Sequence, residues 1–456
     1  LEEIYRARNE PQPDRAAAQF LDDVHEHAGL LVERGPREFG FMHLTFQEYL
    51  AAVGLAQQGQ TDASPVAAAI AGRVGDANWR EVALLATGYL GIVQEREQAA
   101  TQIVERLLGQ ATGEAGLAVA LAGDALADMS PGGVTPTCRA KVVEALVTTM
   151  RDDARVAAPV RAEAGNALGR LGDPRFRADA WHLPDDPWLG FVEIPAGPFL
   201  MGSDKTKDGE AFDSELPQHE VTLPTYYIAR YPVTVAQFRA FVGDAKFQVG
   251  HPDLVRGTPN HPVVAVSWDE ALAYCAWLTK TLRAWDKTPE PLGTLLRAGS
   301  GDGKPWVIAL PSEAEWEKAG RGTTGRIYPW GDDFGANRAN SSEADINSTT
   351  AVGCFPGGAS RWGADEPRWV EELSGNVWEW TRSLGDPDSD KPQFGYPYVS
   401  NDGREDLKAS AKVRRVLRGG SFFIDRPFVR CAARGRFHPV FRWYYGFRVV
   451  VSPFRS

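Results

Sequence analysis

The sequence is poor in cysteine, and the few cysteines that it has are far apart. Only four occur in 456 residues, at Cys138, Cys275, Cys354 and Cys431, and no CxxC pair is present. Disulfide frameworks and zinc sites need cysteines at close and repeated spacing. We therefore expect neither of them, and a reducing compartment, the cytoplasm, is the simplest location for the chain.

The chain also lacks long apolar runs and an excess of basic residues. No apolar stretch approaches the roughly 20 residues that a membrane helix requires, and no signal-peptide pattern opens the chain. The formal net charge is −11 and the pI is about 5.4, whereas nucleic-acid binding needs a basic field around the phosphates. We therefore expect neither a membrane nor a nucleic acid among the partners.

A change of composition near residue 180 divides the chain. Only one of the 14 tryptophans, Trp79, precedes Trp181, and the earlier sequence is rich in Ala, Leu, Val and Glu. After that point Gly, Pro and aromatic residues punctuate shorter segments, which is typical of α+β sequence. We predict a multidomain chain with the end of a helical domain at 1–60, a helical HEAT-like array at 61–172, a linker at 173–189 and an α+β domain at 190–456.

Two motifs in the helical part carry resemblances. The run GFMHLTFQEYLAA, at 40–52, resembles a segment that follows the nucleotidase module of NACHT-type signalling ATPases, and VRAEAGNALGRLGDPR is similar to a HEAT-type helix with its closing turn. The first resemblance implies that a P-loop ATPase module lies upstream, and the start at Leu1 without a methionine predicts a fragment of a longer protein. The chain itself carries no P-loop. The nearest run, AGSGDGKPW, lacks the first glycine of GxxxxGK(S/T), and Pro305 stands where Ser or Thr is required.

From residue 190 onward, a series of motifs resembles the formylglycine-generating enzyme family. The motifs stand in the family's order and together span over 250 residues. The matching runs are FVEIPAGPFLMGS, HEVTLPTYYIARYPVT, HPVVAVSWDEALAYCAWL, LPSEAEWEKAGRG, YPWGDD, ELSGNVWEWT, VLRGGSFF, RCAAR and GFRVV. The resemblance implies a variant of the C-type lectin fold with limited regular secondary structure. Capping residues before two amphipathic runs, Thr234 and Ser267, predict that helices begin there.

The catalytic residues of the family's enzymes have no counterpart in this chain. Members that make formylglycine use a cysteine pair shortly after the GGS motif, where a thiolate binds copper. Here Ile424 stands about where the first cysteine belongs, and Cys431 belongs to the RCAAR framework motif. Other members bind iron through a His-x3-His-x-Glu run, which is absent, and the eight histidines are not grouped at ligand spacing. We therefore predict that the chain is not an enzyme.

The family often holds a structural calcium ion through backbone carbonyls and a carboxylate. In ELSGNVWEW the matching positions are Gly375 and Val377 for carbonyls and Glu379 for a side-chain oxygen, with Glu372 where the family often has Asn. Ligation by oxygen alone suits calcium. The resemblance thus implies calcium as a structural cofactor at these four residues. The alternative is an ion-free loop held by Asn376 and the tryptophans.

An unusual mixture of residues lies between the framework motifs at 418–448. Eight of the 24 residues from 422 to 445 are aromatic, and the mixture shares no period and no chemical type. Core residues of short strands should alternate, and these do not. Aromatic side chains give a large contact area at low conformational cost, as in antibody paratopes. The predicted ligand-binding residues are Phe423, Ile424, Asp425, Phe428, Ala433, Gly435, Phe437, His438, Val440, Phe441, Trp443, Tyr444 and Tyr445.

The same segment resembles the variable proteins of diversity-generating retroelements. Those elements randomise template adenines, chiefly in AAC codons, which permits many residue types but excludes Lys, Glu, Gln and Met. Residues 422–445 contain none of these four. Trp443 cannot arise from such a codon, so it is either framework or the product of a different codon. The resemblance implies a hypervariable ligand-binding surface.

Three functions remain open at this point. The favoured one is recognition, in which the diversified surface binds an unidentified protein or other ligand and the helical part relays occupancy to the upstream ATPase module. The second is an enzyme of the formylglycine-generating or a related oxidase class, against which the missing cysteine pair argues. The third is a scaffold in which the helices bind the partner. Diversification confined to the predicted ligand-binding residues distinguishes the first function from the other two.

Overall fold

The computed structural model describes residues 2–24, 30–35, 38–110, 115–300, 303–364, 366–385 and 394–453. The chain divides into two compact units, Leu1–Val142 and Val143–Ser456, which are described separately. This boundary differs from the predicted boundaries at 60, 172 and 189. Within the described ranges, the structure contains no helix long and apolar enough to cross a membrane.

The first unit opens with helices and a β-hairpin. The elements are α1 (Glu2–Ala7), α2 (Pro13–Asp23), the antiparallel strands β1 (Leu31–Gly35) and β2 (Glu38–Phe41), and α3 (Leu44–Gln57). The prediction of a purely helical segment at 1–60 therefore misses the hairpin. Valine and phenylalanine within these strands favour paired strands over a helix there.

Helices make up the rest of the first unit. They are α4 (Ser64–Ala71), α5 (Arg80–Gly88), α6 (Glu97–Leu108), α7 (Ala115–Asp128) and the first part of α8 (Pro136–Arg151). Apolar side chains such as Ile70, Ile103 and Leu126 are buried. These helices agree with the predicted helical region. Its HEAT-like character stays a prediction, since the helices range from 8 to 16 residues and show no constant length.

The second unit includes a helix that precedes the predicted α+β domain. This helix, α9 (Ala158–Leu171), carries Arg161, whose side chain is fully buried. The Arg161 Nε donates to the carbonyl oxygen of Cys354 over 2.9 Å. Because a buried guanidinium needs acceptors on all sides, this contact fixes α9 to the rest of the unit.

The predicted linker at 173–189 is part of the folded second unit, so that prediction is wrong. It contains the short antiparallel strands β3 (Phe176–Arg177) and β4 (Leu183–Pro184). Leu183 and Leu189 are buried in the core. The prolines and aspartates of this stretch form turns, while its leucines and tryptophans anchor it by burying apolar area.

The main sheet of the second unit has four antiparallel strands in the order β5–β8–β16–β9. They are β5 (Phe191–Ile194), β8 (Tyr226–Ala229), β16 (Val450–Ser452) and β9 (Val307–Ala309). Val450, in the last strand of the chain, pairs with Ile228 on one side and with Ala309 on the other. The sheet is therefore complete only when both ends of the unit come together.

Four helices accompany the sheet: α10 (Val235–Ala245), α11 (Trp268–Ala284), α12 (Leu292–Ala298) and α13 (Glu313–Arg321). Capping boxes begin α10 at Thr234 and α11 at Ser267, which confirms both predicted helix starts. Phe238 of α10 and Tyr274 of α11 stack with ring centroids 6.1 Å apart in the buried aromatic core.

A second four-stranded sheet carries the segment of interest. Its order is β14–β13–β12–β15, formed by β12 (Trp378–Leu384), β13 (Arg415–Arg418), β14 (Gly435–Phe437) and β15 (Tyr445–Gly446). Two further antiparallel pairs are β6 (Gly197–Met201) with β7 (His219–Leu223) and β10 (Ser360–Trp362) with β11 (Arg368–Val370). The chain leaves β13 and returns through β14 to β15, so two loops project from this sheet.

Candidate ligand-binding surface

The segment from 419 to 445 begins with a turn that requires glycine. Gly419 and Gly420 have φ angles of 95° and 73°, which L side chains rarely adopt. A Cβ on Gly420 would lie 2.6 Å from Val429 Cγ1 and 2.9 Å from the Phe428 carbonyl oxygen. The GGS motif therefore sets the direction in which the chain leaves β13.

Residues outside this segment hold it by its backbone. The Ala265 amide donates to the carbonyl oxygen of Trp443 over 2.8 Å. The Phe422 amide donates to the carbonyl oxygen of Asn376 over 3.1 Å. Neither hydrogen bond involves a side chain of the segment. The path of the backbone is therefore compatible with different side chains at the same positions.

Most of the predicted ligand-binding residues lie at the surface. The exposed ones are Asp425, Phe428, Val440, Phe441, Trp443 and Tyr444, and the half-buried ones are Phe423, Ile424, Gly435, Phe437 and His438. Trp443 is 53% exposed and Phe441 is 52% exposed. Large apolar side chains that are exposed side by side mark binding surfaces in soluble proteins.

Two of the predicted ligand-binding residues are buried, and the prediction is wrong for them. Tyr445 is 1% exposed, because β15 pairs with β12 and the Tyr445 ring packs against Trp380 with centroids 5.4 Å apart. Ala433 is fully buried, and its carbonyl oxygen accepts a hydrogen bond from Arg418 Nη1 at 3.2 Å. Both residues belong to the framework that supports the surface.

Three aromatic side chains form a continuous group, here named the aromatic ridge: Phe423, Trp443 and Tyr444. The ring centroids are 5.0 Å apart for Phe423 and Trp443, 5.3 Å for Phe423 and Tyr444, and 5.8 Å for Trp443 and Tyr444. Buried Phe422 supports the ridge, with its ring 4.8 Å from that of Tyr444. Mutual packing restricts the rotamers of these rings, so they are preorganised for contact.

Two further aromatic groups of the segment, around Phe441 and around Phe428, lie outside the aromatic ridge. The Phe441 ring lies 6.3 Å from Phe437 and 6.2 Å from His438. The Phe428 ring lies 4.9 Å from Phe212. Sequence reasoning missed Phe212, because it stands more than 200 positions before Phe428 and no local pattern links the two.

The charged groups of the segment are largely paired. Arg426 Nη2 donates to Glu210 Oε1 over 2.8 Å, and the Ser342 hydroxyl donates to Asp425 Oδ1 over 2.7 Å. Arg442 forms an ion pair with Glu270. Glu210, Ser342 and Arg426 were not predicted as site residues. Carboxylates compensate the charges of Arg426 and Arg442. Aromatic and aliphatic area therefore dominates what the surface offers to a ligand, beside the carboxylate of Asp425.

Ile424, which stands about where the family's first catalytic cysteine is expected, and the framework cysteine Cys431 lie in different environments. Ile424 is half-buried at the surface, and Cys431 is buried in the core. Burial raises the pKa of the Cys431 thiol to about 12, which opposes the thiolate form that copper chemistry needs. Across the part of the chain that the structure describes, no group of three or more His, Cys, Asp or Glu side chains could hold a metal ion.

Glu379, the carboxylate of the predicted calcium site, is occupied by other partners. Arg448 binds it through two hydrogen bonds, from Nε over 2.6 Å and from Nη2 over 2.7 Å. Trp316 Nε1 donates to the same carboxylate over 2.8 Å. All three side chains are buried. The charge of Glu379 is therefore compensated by a guanidinium in bidentate geometry.

Two of the other predicted calcium ligands, Gly375 and Glu372, also have hydrogen-bond partners. The carbonyl oxygen of Gly375 accepts the Val377 amide over 2.9 Å. Glu372 accepts hydrogen bonds from the Gly353 amide and from Asn376, and burial together with repulsion from neighbouring Glu371 raises its pKa to about 8. As arranged here, Glu372, Gly375 and Glu379 do not fit a calcium ion, which needs ionised and free oxygens. Calcium binding stays a prediction without support from this geometry.

Comparison with known proteins identifies the family. Residues 182–453 match the sulfatase-modifying factor enzyme 1-like domain, and the chain belongs to that family. Residues 1–55 match a winged helix-turn-helix domain C-terminal to NACHT, in agreement with the hairpin and helices of the first unit. The chain therefore has a match to a NACHT-associated winged-helix domain at its start and a domain of the sulfatase-modifying factor enzyme 1-like family at 182–453.

Curated relatives match about two-fifths to three-fifths of this chain. Hercynine oxygenase of Mycolicibacterium thermoresistibile is 31% identical over 314 residues, which are 60% of this chain and 61% of that protein. Inactive C-alpha-formylglycine-generating enzyme 2 of Mus musculus is 30% identical over 43% of this chain and 69% of its own length. Formylglycine-generating enzyme of Streptomyces coelicolor is 28% identical over 54% and 83%. The chain thus spans about three-fifths of the hercynine oxygenases that it matches.

Two solved structures match part of the chain. PvdO from Pseudomonas aeruginosa has a TM-score of 0.41 at 24% identity and covers 57% of this chain and 93% of its own. Treponema denticola variable protein 1 has a TM-score of 0.39 at 22% identity and covers 58% and 95%.

Proposed function

We propose that this chain is the recognition part of a larger NACHT signalling ATPase, and that the exposed residues between 422 and 445 bind its ligand. The single observation that carries the proposal is the surface position of large aromatic residues, above all Trp443 at 53% exposure and Phe441 at 52%. A buried-core explanation of these aromatics predicts the opposite. The ligand is a protein or another molecule with complementary apolar area.

The physical properties of the surface support this proposal. Tryptophan and tyrosine concentrate binding energy, since they bury much area and lose few rotamers. The aromatic ridge is held by its own ring contacts and by Phe422 beneath it, so little ordering is needed on binding. Ala265 and Asn376 hold the backbone of the segment without using its side chains. Such an arrangement tolerates diversification of the exposed positions.

The proposal does not include catalysis by this chain, a calcium cofactor, nucleic acid or a membrane. The absence of lysine, glutamate, glutamine and methionine from 422–445 supports diversification through adenine-biased codons. The match at residues 1–55 supports an upstream NACHT ATPase module in the full protein. The buried free cysteines support a reducing, cytoplasmic setting.

An oxidase-class enzyme is the alternative, and the names of the relatives favour it. Two of the relatives are named as enzymes, hercynine oxygenase and formylglycine-generating enzyme. In this chain the corresponding surface carries Ile424, and Cys431 is in the core. Purified protein incubated with a sulfatase peptide and copper should therefore form no formylglycine. Turnover above a boiled control would favour the enzyme.

The DNA that follows the reading frame gives the direct test. We expect an imperfect repeat of the codons for residues 418–448 that differs only at adenines, beside a reverse-transcriptase gene. The differing codons should encode exposed positions such as Phe441 and Tyr444 and should spare Ala433. A frame without any repeat or reverse transcriptase nearby would reduce the segment to ordinary family variation.

The signalling part of the proposal has its own test. Once a ligand has been selected, its addition to the full-length protein should change the rate of ATP hydrolysis or the mass of the assembly. The matched control is the Trp443→Ala and Tyr444→Ala double variant, which should respond to neither. Equal ATPase rate and mass with and without ligand would contradict the signalling role while leaving recognition intact.

A further inference from the structure

The backbone of residues 424–426 rests on a short helical turn at Ser342–Ala344. The Ser342 amide donates to the carbonyl oxygen of Ile424 over 3.2 Å. Two residues further along the segment, the Arg426 amide donates to Glu343 Oε1 over 2.8 Å. The turn therefore satisfies one acceptor and one donor of the segment, and the second bond is strengthened by the charge of the carboxylate.

These two contacts use main-chain atoms of the segment. Ile424 and Asp425 can be replaced by other residue types while the carbonyl oxygen and the amide stay in place. By contrast, the Ser342 hydroxyl bond to Asp425 Oδ1 depends on the side chain and is lost in most replacements. Glu343 is thus suited to hold a segment whose side chains vary, because its partner is always a peptide N–H.

A second short helical turn, Ala336–Arg338, precedes the turn at Ser342–Ala344 in the sequence. Asn337 Oδ1 accepts from Arg161 Nη1 over 2.7 Å, and the Asn337 carbonyl oxygen accepts from Arg161 Nη2 over 3.1 Å. The Asn337 Nδ2 donates to the Asp153 carbonyl oxygen over 2.6 Å. Asn337 therefore joins the two turns to the loop before α9 and to the first turn of α9 itself.

Polar contacts, rather than a packed apolar core, join these parts. An open groove of about 380 Å³ lies between residues 153–158 and residues 336–344. Its lining includes Asp153 and Val156 on one side and Asn337 and Glu343 on the other. The direct hydrogen bonds between 336–344 and α9 are those of Asn337 with Arg161, while Asn340 separately ties the same stretch to the Asn376 amide over 2.7 Å.

We propose that Glu343 and Asn337 are positioning residues: Glu343 fixes the main chain of the ligand-binding segment, and Asn337 couples that position to α9. The geometric basis is the path Arg426 amide, Glu343, the 336–344 stretch, Asn337 and Arg161. The significance of the coupling for signalling rests on the proposed function, whereas the coupling itself does not. A displacement of residues 424–426 on ligand contact would thereby change the hydrogen bonding of α9.

Amide hydrogen exchange on the whole chain tests the first half of the proposal. Glu343→Ala should speed exchange in peptides covering 424–428 by about tenfold, the loss expected for one charge-assisted hydrogen bond. Glu220→Ala, which removes an exposed glutamate on β7, is the matched control and should leave these peptides unchanged. Unchanged exchange at 424–428 in Glu343→Ala would overturn the positioning role.

Asn337→Ala tests the coupling. Exchange should rise at 153–161 and, by at least about twofold, at 424–428, while peptides of β12 keep their wild-type rates. Asn337→Asp keeps the acceptor for Arg161 and should leave 424–428 close to wild type, which guards against a variant that folds poorly. A rise confined to 153–161 would overturn the coupling. Because no ligand is present, either result stands independently of whether the surface binds one.

Discussion

Buried ion pairs make the stability of the second unit sensitive to the loss of single charged side chains. Glu379 and Arg448 are both fully buried and form two short hydrogen bonds with each other. A buried ion pair stabilises a fold less than its Coulomb energy suggests, because both charges have left water. Removing one partner is costly, however, since the other charge remains buried without compensation.

Arg448→Met is therefore expected to lower the free energy of unfolding by about 3 to 5 kcal/mol. Urea denaturation of the second unit measures it. Arg361→Met, at an exposed position on β10, should change stability by roughly 0.5 kcal/mol or less. Calcium and a chelator should leave the wild-type midpoint unchanged, because Arg448 already neutralises Glu379. A clear rise of the midpoint with calcium would show that the protein binds calcium after all.

A buried histidine gives a pH dependence with a definite sign. Burial lowers the pKa of His261 to about 4, and its ring contacts Thr349 and Asn166. Below about pH 6.5 the unfolded chain binds a proton that the folded chain does not. Stability should therefore fall by up to about 3 kcal/mol as pH drops from about 6.5 to 4.

The variant His261→Gln should lose most of this dependence, since Gln offers one donor and one acceptor without titrating. Urea midpoints at pH 7 and pH 4.5 provide the measurement. The half-buried His251, replaced by Gln, serves as the control and should keep the wild-type profile. A His261→Gln protein with the wild-type slope would mean that other groups cause the acid sensitivity.

At the scale of elements, the segment between β13 and the end of β15 divides into support and surface. Trp443 and Tyr444 project from the loop, whereas Tyr445 is the first residue of β15 and packs on Trp380. The hydroxyl-bearing rings of Tyr444 and Tyr445 are neighbours in sequence. Their environments differ because adjacent residues of an extended chain point to opposite sides.

This division predicts opposite consequences for adjacent substitutions. Tyr445→Ala should destabilise the second unit by about 3 to 5 kcal/mol, since it leaves a cavity in the core. Trp443→Ala should cost about 1 kcal/mol or less, because it removes mainly contacts within the aromatic ridge, and should abolish ligand binding. Thermal unfolding and binding to a selected ligand measure both. Equal destabilisation by the two variants would place Trp443 in the core.

At the scale of the whole molecule, the second unit extends further towards the amino terminus than the family match does. The match begins at residue 182, but α9 belongs to the same compact unit. Several residues of this extension are bound to the domain, among them Arg161 to Cys354, Asn166 to His261 and Arg175 to the Val352 carbonyl. The extension therefore completes the fold.

Fragments of the chain test this extension. A fragment of residues 136–456, which retains all of α8 and α9, should unfold in one cooperative transition at the midpoint of the second unit in the full chain. A fragment of residues 182–456 should be less stable by at least about 3 kcal/mol, since it leaves His261 and several carbonyl groups unsatisfied. Denaturant titrations of the two fragments provide the comparison. Equal midpoints would show that α8 and α9 do not stabilise the domain at 182–456.

Local signals made much of the fold predictable. The helix starts at Thr234 and Ser267 are predictable because a capping residue stands directly before each amphipathic run, and at Ser267 the capping-box partner Glu270 follows three positions later. The surface position of Trp443 and Tyr444 was also expected, from a mixture of residues without strand periodicity. The burial of Ala433 and Tyr445 was missed, since both stand within that same irregular mixture and only pairing with β12 and Arg418 buries them.

The amino-acid sequence by itself determined the family, the helix starts, the missing catalytic cysteines and the existence of an exposed aromatic segment, because each is written in neighbouring residues. Only the tertiary structure decided that 173–189 is core rather than linker and that Phe212 and Glu210 border the surface. It also decided that Glu379 is bound by Arg448. These outcomes depend on partners far apart along the chain, which meet only when burial of apolar area closes the sheets of the second unit.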